Sequence, residues 1–168
     1  MTTGVVEELR AWLAETWDPG RSVRDWWALL AESGWGFPTW PRDWFGRGLP
    51  AEHAAGIRAV FTGTGVLPPP SGLGQLLGGP TIVAHGSTEQ KRQFLPALAR
   101  GEEAWCQLFS EPGSGSDLAS AQTRAVRDGD RWIVNGQKVW TSGAQFSDRG
   151  MLLARTDVTV PKHQGLTY

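Results

Sequence analysis

The stretch Phe109-Ser110-Glu111-Pro112-Gly113-Ser114-Gly115-Ser116-Asp117 sits where this 168-residue chain changes character. Upstream of it apolar residues recur at steps of three or four; downstream they run in short blocks between turn residues. Two glycines flank a serine, and Pro112 fixes the entry. Such glycines let consecutive backbone N–H groups turn inward as an anion-binding concavity, to which the Ser114 and Ser116 hydroxyls would add donors. A diphosphate is a natural guest for that chemistry. Two familiar phosphate loops are excluded. A Walker loop ends in Gly-Lys-Ser/Thr, and this stretch has no lysine. A Rossmann fingerprint needs a third glycine where Leu118 stands, and it needs a following helix. The bland alternative is a flexible Gly/Ser turn between strands, which composition alone favours.

Working back towards the N-terminus, the pattern is helical. Val6, Leu9, Leu13 and Trp17 share a face, and Pro19-Gly20 stops the first helix. Ser22 offers an N-cap with Asp25 three residues on, and Trp26, Leu29 and Leu30 supply the apolar stripe behind it. Gly34 is the expected stop of that second helix. From Gly36 to Gly48 the chain has loop chemistry, aromatic enough to be pinned against something. Pro50 is placed for the first turn of a helix carrying Ala54, Ile57, Val60 and Phe61. Leu73 to Val83 reads as a buried helix interrupted at Pro80. Ser87-Thr88-Glu89-Gln90 is a capping box for a helix that includes Phe94 and Leu95, which Pro96 should break or bend.

Towards the C-terminus the period becomes two. Trp105 to Ser110 reads as a short strand, and Thr123, Ala125 and Arg127 alternate with polar neighbours. Asp128-Gly129 and Asn135-Gly136 read as two tight turns around the strand Trp132-Ile133-Val134, with Lys138-Val139-Trp140 returning. Met151 to Ala154 is a further apolar strand. Helices first and strands second give an α+β chain. An N-terminal all-α helical domain over 1–103 is followed by an incomplete antiparallel β-domain over 104–168.

Composition narrows the function. Sixteen Lys plus Arg against 17 Asp plus Glu leave a net charge of −1, so no basic field exists for nucleic acid or an anionic membrane. The single cysteine, Cys106, excludes an internal disulfide, and no Cys/His spacing suits a metal. The start is neither a signal peptide nor a membrane span, and the expected location is cytoplasmic. Ten tryptophans against one tyrosine are unusual. Four fall between Trp17 and Trp35, where helical spacing reads as core packing, with sugar or base stacking as the alternative.

The residues also resemble a known family. Gln107 to Asp117 is similar to the first signature of the acyl-CoA dehydrogenases: a hydroxyl residue, Glu-Pro, a Gly/Ala pair and Gly-Ser-Asp. Asn135-Gly136-Gln137-Lys138-Val139-Trp140-Thr141-Ser142 is similar to their second conserved stretch. Trp40-Pro41, Gly79-Pro80, His85 to Lys91, Phe94-Leu95-Pro96, Gly101-Glu102 and Leu152 to Thr156 fit in the right order.

The resemblance implies FAD as cofactor and an acyl-CoA oxidised to its trans-2-enoyl thioester, within fatty acid or other lipid metabolism. A glutamate removes the α-proton in that family, the β-hydrogen leaves as hydride, and electron-transfer flavoprotein takes the electrons. By matching position, Gln107, Leu108, Phe109, Ser110, Gly113, Ser114, Gly115 and Ser116 would line the flavin and its phosphates. Ser110 would donate to the pyrimidine side, and Ser116 would also approach the acyl-CoA substrate. Trp140 would pack on the flavin, with Thr141 beside it and Ser142 near N5. Serine stands at Ser110 and Ser142 where threonine is more usual, and Thr141 is polar where an apolar residue is usual. No acidic residue is assignable as the base, because the family's C-terminal bundle supplies it; the catalytic set and the metal set are both empty. The expectation is an N-terminal part of a homo- or hetero-oligomeric dehydrogenase, inactive alone. Its alternative is a non-catalytic subunit or remnant that binds a partner chain or flavin without turnover.

Overall fold

The structure, a computed structural model, describes residues 2–168. The chain divides into two compact units, Met1–Glu103 and Ala104–Tyr168. The first is helical and the second carries the strands, so the α+β class expected from the sequence is the one adopted.

In the helical unit α1 spans Thr2–Thr16, α2 Val23–Ser33, α3 Ala54–Thr64, α4 Gly79–His85 and α5 Thr88–Ala99. Leu9 and Leu13 of α1 are buried, as their spacing requires, against Trp26 and Leu30 of α2 and Ile57, Val60 and Phe61 of α3. Each fully buried leucine contributes about 1.5–3 kcal/mol of burial energy. The tryptophans complete this core. Trp26 is fully buried, stacked with Trp12 at 5.7 Å and meeting Trp17 edge-on at 4.8 Å. Its indole N–H is satisfied by the Leu67 carbonyl at 2.7 Å, and that of Trp27 by Pro68 at 3.0 Å. These aromatics are packing, as the helical spacing suggested.

The caps form where the sequence places them. Ser22 Oγ accepts the Asp25 N–H at 3.1 Å, and Gly34 closes α2 in the left-handed region at φ 75°. Ser87 Oγ accepts the Gln90 N–H at 3.2 Å while Gln90 Oε1 accepts the Ser87 N–H at 2.8 Å, a complete capping box. The 36–48 loop is pinned through Arg47, whose guanidinium lies 3.9 Å over the Trp35 ring, donates to the Ser33 carbonyl at 3.1 Å and pairs with Glu8. Pro50 precedes a 3-10 turn, Ala51–His53, that runs into α3.

Two expectations fail here. The segment before α4 is not a buried helix broken at Pro80. A π-helical turn, Gly74–Gly78, runs straight into α4, with Pro80 accommodated in its first turn. Leu76 and Leu77 point outwards, while Gly74, Gly78 and Gly79 are buried, Gly79 lying against the Trp40 ring. Nor does Pro96 break α5, which continues to Ala99 with Leu95, Leu98 and Ala99 buried.

In the second unit β1 spans Trp105–Leu108, β2 Arg124–Asp128, β3 Arg131–Asn135, β4 Arg149–Leu152, β5 Ala154–Arg155 and β6 Leu166–Thr167. β1 and β4 form a two-stranded sheet, and the other strands lie in the order β3-β2-β5-β6. The β2–β3 hairpin turns through Gly129-Asp130, pairing Asp128 with Arg131, with Gly129 at φ 59°. The pairing is not purely antiparallel. β1 runs parallel to β4, with Cys106 opposite Gly150, and β2 parallel to β5. The second expected hairpin is also absent. After Asn135 the chain leaves the sheet, and residues 136–140 form no strand. One hydrogen bond and one backbone conformation take it elsewhere. The Val139 N–H donates to the Ser110 carbonyl at 2.9 Å, and Trp140 sits at φ 59°, a conformation that ends extended structure.

Candidate functional site

The signature loop is built on Glu111. Its backbone exchanges two hydrogen bonds with Ser114, Glu111 N to Ser114 O at 2.8 Å and Ser114 N to Glu111 O at 3.1 Å, closing a tight turn over Pro112-Gly113. Its side chain is buried, and each oxygen is used. Oε2 accepts the Gln122 N–H at 2.6 Å; Oε1 accepts the Thr123 N–H and Lys138 Nζ, both at 2.8 Å. Burial by itself pushes this carboxyl up. The hydrogen bonds from Lys138, Thr123 and Gln122 together outweigh it and hold the carboxyl down at about 2. Lys138 Nζ also donates to the Phe109 carbonyl at 2.9 Å. With side chains 8% and 6% exposed, Lys138 and Glu111 are a buried ion pair joining the two motif stretches. Glu111 falls within the Gln107 to Ser116 run that the resemblance places along the flavin and its phosphates, and Lys138 carries no expected role. No spacing signature marks an acid and a lysine 27 residues apart as partners.

The remainder of the loop is closed by Asp117 and Arg155. The Asp117 carboxylate accepts from Ser120 Oγ at 2.5 Å and Lys162 Nζ at 2.7 Å; these bonds, that of Lys162 foremost, hold it below the usual range. Arg155 spreads its guanidinium over the carbonyls of Ala119 at 2.6 Å, Ala121 at 3.1 Å and Lys162 at 3.2 Å. A cavity of about 410 Å³ lies beside the turn, lined by Glu111, Pro112, Gly113, Ser120, Gln122, Thr123, Gly136 and Gln137. Thr123 Oγ1 is buried there without a hydrogen-bond partner.

The sequence-predicted residues divide into those the fold joins and those it leaves apart. Gln107 and Leu108 lie half-buried on β1, opposite Met151 and Leu152 of β4. Phe109 packs edge-on to Tyr168 at 5.8 Å. Ser110 and the Trp140–Ser142 segment are brought together through the Ser110–Val139 hydrogen bond and the Lys138 ammonium. Trp140 is 90% exposed, presenting an indole that its own unit does not use. Thr141 Oγ1 is buried and unpartnered, and the Ser142 N–H turns back to the Trp140 carbonyl at 3.0 Å.

Ser114 has another duty. It is buried, its N–H is spent on Glu111, and its Oγ donates to the Asp117 carbonyl at 2.8 Å. Gly113, Gly115 and Ser116 are exposed. Neither glycine is left-handed, and a Cβ on either would meet nothing within 4 Å. The fold of the unit itself does not require glycine at these positions.

Among the described residues no group of three or more His, Cys, Asp or Glu could hold a metal, and no helix is long and apolar enough to cross a membrane. Cys106 is free and buried.

Comparison with known proteins gives this geometry a context. Residues 3–102 match the acyl-CoA dehydrogenase N-terminal domain, and residues 106–168 match the acyl-CoA dehydrogenase middle domain. Acyl-CoA dehydrogenase IpdE1 of Mycobacterium tuberculosis is 40% identical over 97% of this chain and 48% of its own length. Acyl-CoA dehydrogenase FadE34 of the same organism is 49% identical over 83% of this chain and 19% of its own. Among solved structures, the ChsE4–ChsE5 complex from Mycobacterium tuberculosis is similar at TM-score 0.71 and 36% identity, covering 98% of this chain and 44% of that one. The Tcur3481–Tcur3483 steroid ACAD is similar at TM-score 0.70 and 33% identity, covering 98% and 46%. The chain thus spans about half the length, or less, of the relatives it matches. With both parts matched in order along almost every residue, this chain belongs to the acyl-CoA dehydrogenase family.

Proposed function

We propose that the chain forms the N-terminal helical domain (1–103) and the beginning of the flavin-binding β-domain (104–168) of an FAD-dependent acyl-CoA dehydrogenase. The observation that carries this reading is the junction of the two signature stretches. Glu111 and Lys138, with the Ser110–Val139 bond, bring a hydroxyl-bearing loop beside an outward-facing indole. The residues present fit a flavin. Trp140 offers an aromatic face, and Thr141 Oγ1 is a buried hydroxyl with its hydrogen bonds unspent. Ser110 and Ser142 would donate to the ring edge, and Gly113, Gly115 and Ser116 would let phosphate oxygens and the acyl-CoA come close.

When bound, FAD supplies the hydride acceptor, and the protein positions and polarises it. Hydroxyl donors at Ser110 and Thr141 would stabilise negative charge on the reduced ring, an electrostatic contribution fixed before reaction. Trp140 would shield one face from water. None of the 17 acidic residues is assigned as the base. Glu111 is excluded from it, since its carboxylate is buried and saturated with hydrogen bonds.

Acyl-CoA is the substrate class. The likeness to a steroid ACAD makes a bulky polycyclic acyl chain the first to try. Electron-transfer flavoprotein as electron acceptor and a homo- or hetero-oligomeric state belong to the same reading. The test is titration of the purified chain with FAD, followed by flavin absorbance and fluorescence quenching. Saturable binding weakened by Trp140→Ala and Ser116→Ala is expected. A folded chain that binds no FAD, or binds it with indifference to both substitutions, would overturn the flavin site.

A further inference from the structure

The Glu111–Lys138 pair is placed where strand pairing does not hold the chain. Residues 136–140 belong to no strand, yet they must return to residues 109–110. Among the described residues, three hydrogen bonds bring them there: Lys138 Nζ to the Phe109 carbonyl, Lys138 Nζ to Glu111 Oε1, and Val139 N–H to the Ser110 carbonyl. Lys138 contributes two of the three. Glu111 is in turn fixed by backbone N–H groups of Gln122 and Thr123, immediately before β2. The pair therefore ties three segments to one point: the signature loop, the start of the hairpin, and the run into Trp140. With side chains 8% and 6% exposed, both charges are largely removed from water. A buried pair of this kind stabilises little net, but it specifies one arrangement, because every other arrangement leaves a charge unpaired.

We propose that Lys138, held by Glu111, is a positioning residue of the flavin site: it sets Ser110 against Trp140–Ser142 without itself touching the cofactor. This rests on the flavin reading above. Without the ammonium, the 136–142 segment keeps a single backbone hydrogen bond to the loop, and the indole and hydroxyls lose their fixed separation.

The experiment compares the chain with its Lys138→Met and Lys138→Arg variants by amide hydrogen exchange and by FAD titration. In Lys138→Met the Val139 amide is expected to lose at least tenfold more protection than the β2 and β3 amides, because the opening is local. FAD affinity falls at least tenfold in the same variant, as an aromatic face and its hydroxyl donors lose preorganisation. Arginine, which keeps the charge, brings both readouts back to within about threefold. Three results overturn the proposal. Unchanged Val139 protection in Lys138→Met means the pair does not hold the segment. Equal loss of protection at Val139 and throughout β2–β3 means the pair is merely structural. Loss at Val139 with unchanged FAD affinity means the spacing does not matter to the cofactor. If the unsubstituted chain itself binds no FAD, the flavin reading fails separately, and Val139 exchange still decides whether Lys138 sets the segment.

Discussion

Glu111 has a consequence that can be read with a pH meter. Its carboxyl is held at about 2 in the folded chain against an ordinary value of 4.5, so the folded state favours the ionised form. Stability from this group is therefore fully present above about pH 5. It is lost progressively as pH falls from 4.5 through the folded value, and only below both values do folded and unfolded chains bind the proton alike. The span amounts to at most about 3 kcal/mol, an upper bound for a buried pair. Denaturant midpoints measured from pH 6 down to pH 2 should show the β-unit weakening across that window. Glu111→Gln should flatten the dependence and lower stability at pH 7 by about 3 kcal/mol, since it strands a buried ammonium. An unchanged slope in the variant would show that another carboxylate carries the effect. Glycines give a second test at this scale. A Cβ at Gly136 would stand 2.3 Å from Thr123 Oγ1, whereas one at Gly113 would meet nothing. Gly136→Ala should cost about 1–3 kcal/mol of β-unit stability through overpacking. Gly113→Ala should leave the midpoint unchanged within about 0.5 kcal/mol and weaken FAD binding instead. Equal effects of the two on stability would remove the argument that Gly113 serves an outside group.

Among the elements, those whose making is local were legible in the sequence. The Ser87 capping box needs only residues three apart, and it formed as written. Ser87→Ala should accordingly cost the helical unit about 1 kcal/mol, visible as a lowered thermal midpoint by far-ultraviolet circular dichroism, and Ser22→Ala a similar amount. The Asp128-Gly129 hairpin was legible for the same reason. The Asn135-Gly136 turn carried an equally good local signal and misled, because a long-range interaction won. Lys138 takes its partner from residue 111, and Trp140 adopts a left-handed backbone that no periodicity announces. The parallel pairing of β1 with β4 was hidden likewise, since Trp105 and Arg149 are brought opposite one another by everything between them. At Leu73 to Val83 the apolar run suggested burial. The π-turn rotates the face so that glycines go in and Leu76 and Leu77 out. For the site, the motif residues were legible by resemblance, and the ion pair that joins them was not, because an acid and a lysine 27 residues apart have no spacing signature.

Taken whole, the molecule distributes its apolar surface unevenly. The large buried cluster lies in the helical unit, built on Leu9, Trp26, Leu30, Trp35 and Val60. Of the 11 large hydrophobic residues left exposed among the described residues, eight lie beyond residue 104, and four of them are on the β2–β3 hairpin: Val126, Trp132, Ile133 and Val134. The register puts Val126 and Ile133 on one face and Trp132 and Val134 on the other, so both faces are apolar. β3 is also the edge of its sheet, with every residue from Arg131 to Asn135 exposed. An unpaired edge flanked by exposed apolar side chains is a template for pairing with another chain, and a net charge of −1 offers little repulsion against it. The purified chain should therefore self-associate with rising concentration, and more readily near its isoelectric point of about 6.3 than at pH 8. Analytical ultracentrifugation over a tenfold concentration series would reveal it. Val134→Lys, which places a charge on the edge strand without touching the Glu111–Lys138 pair, should shift the distribution back to monomer while leaving the hairpin folded. A chain that stays monomeric at every concentration would mean that the β3 edge is protected by its own twist and side chains rather than in want of a partner.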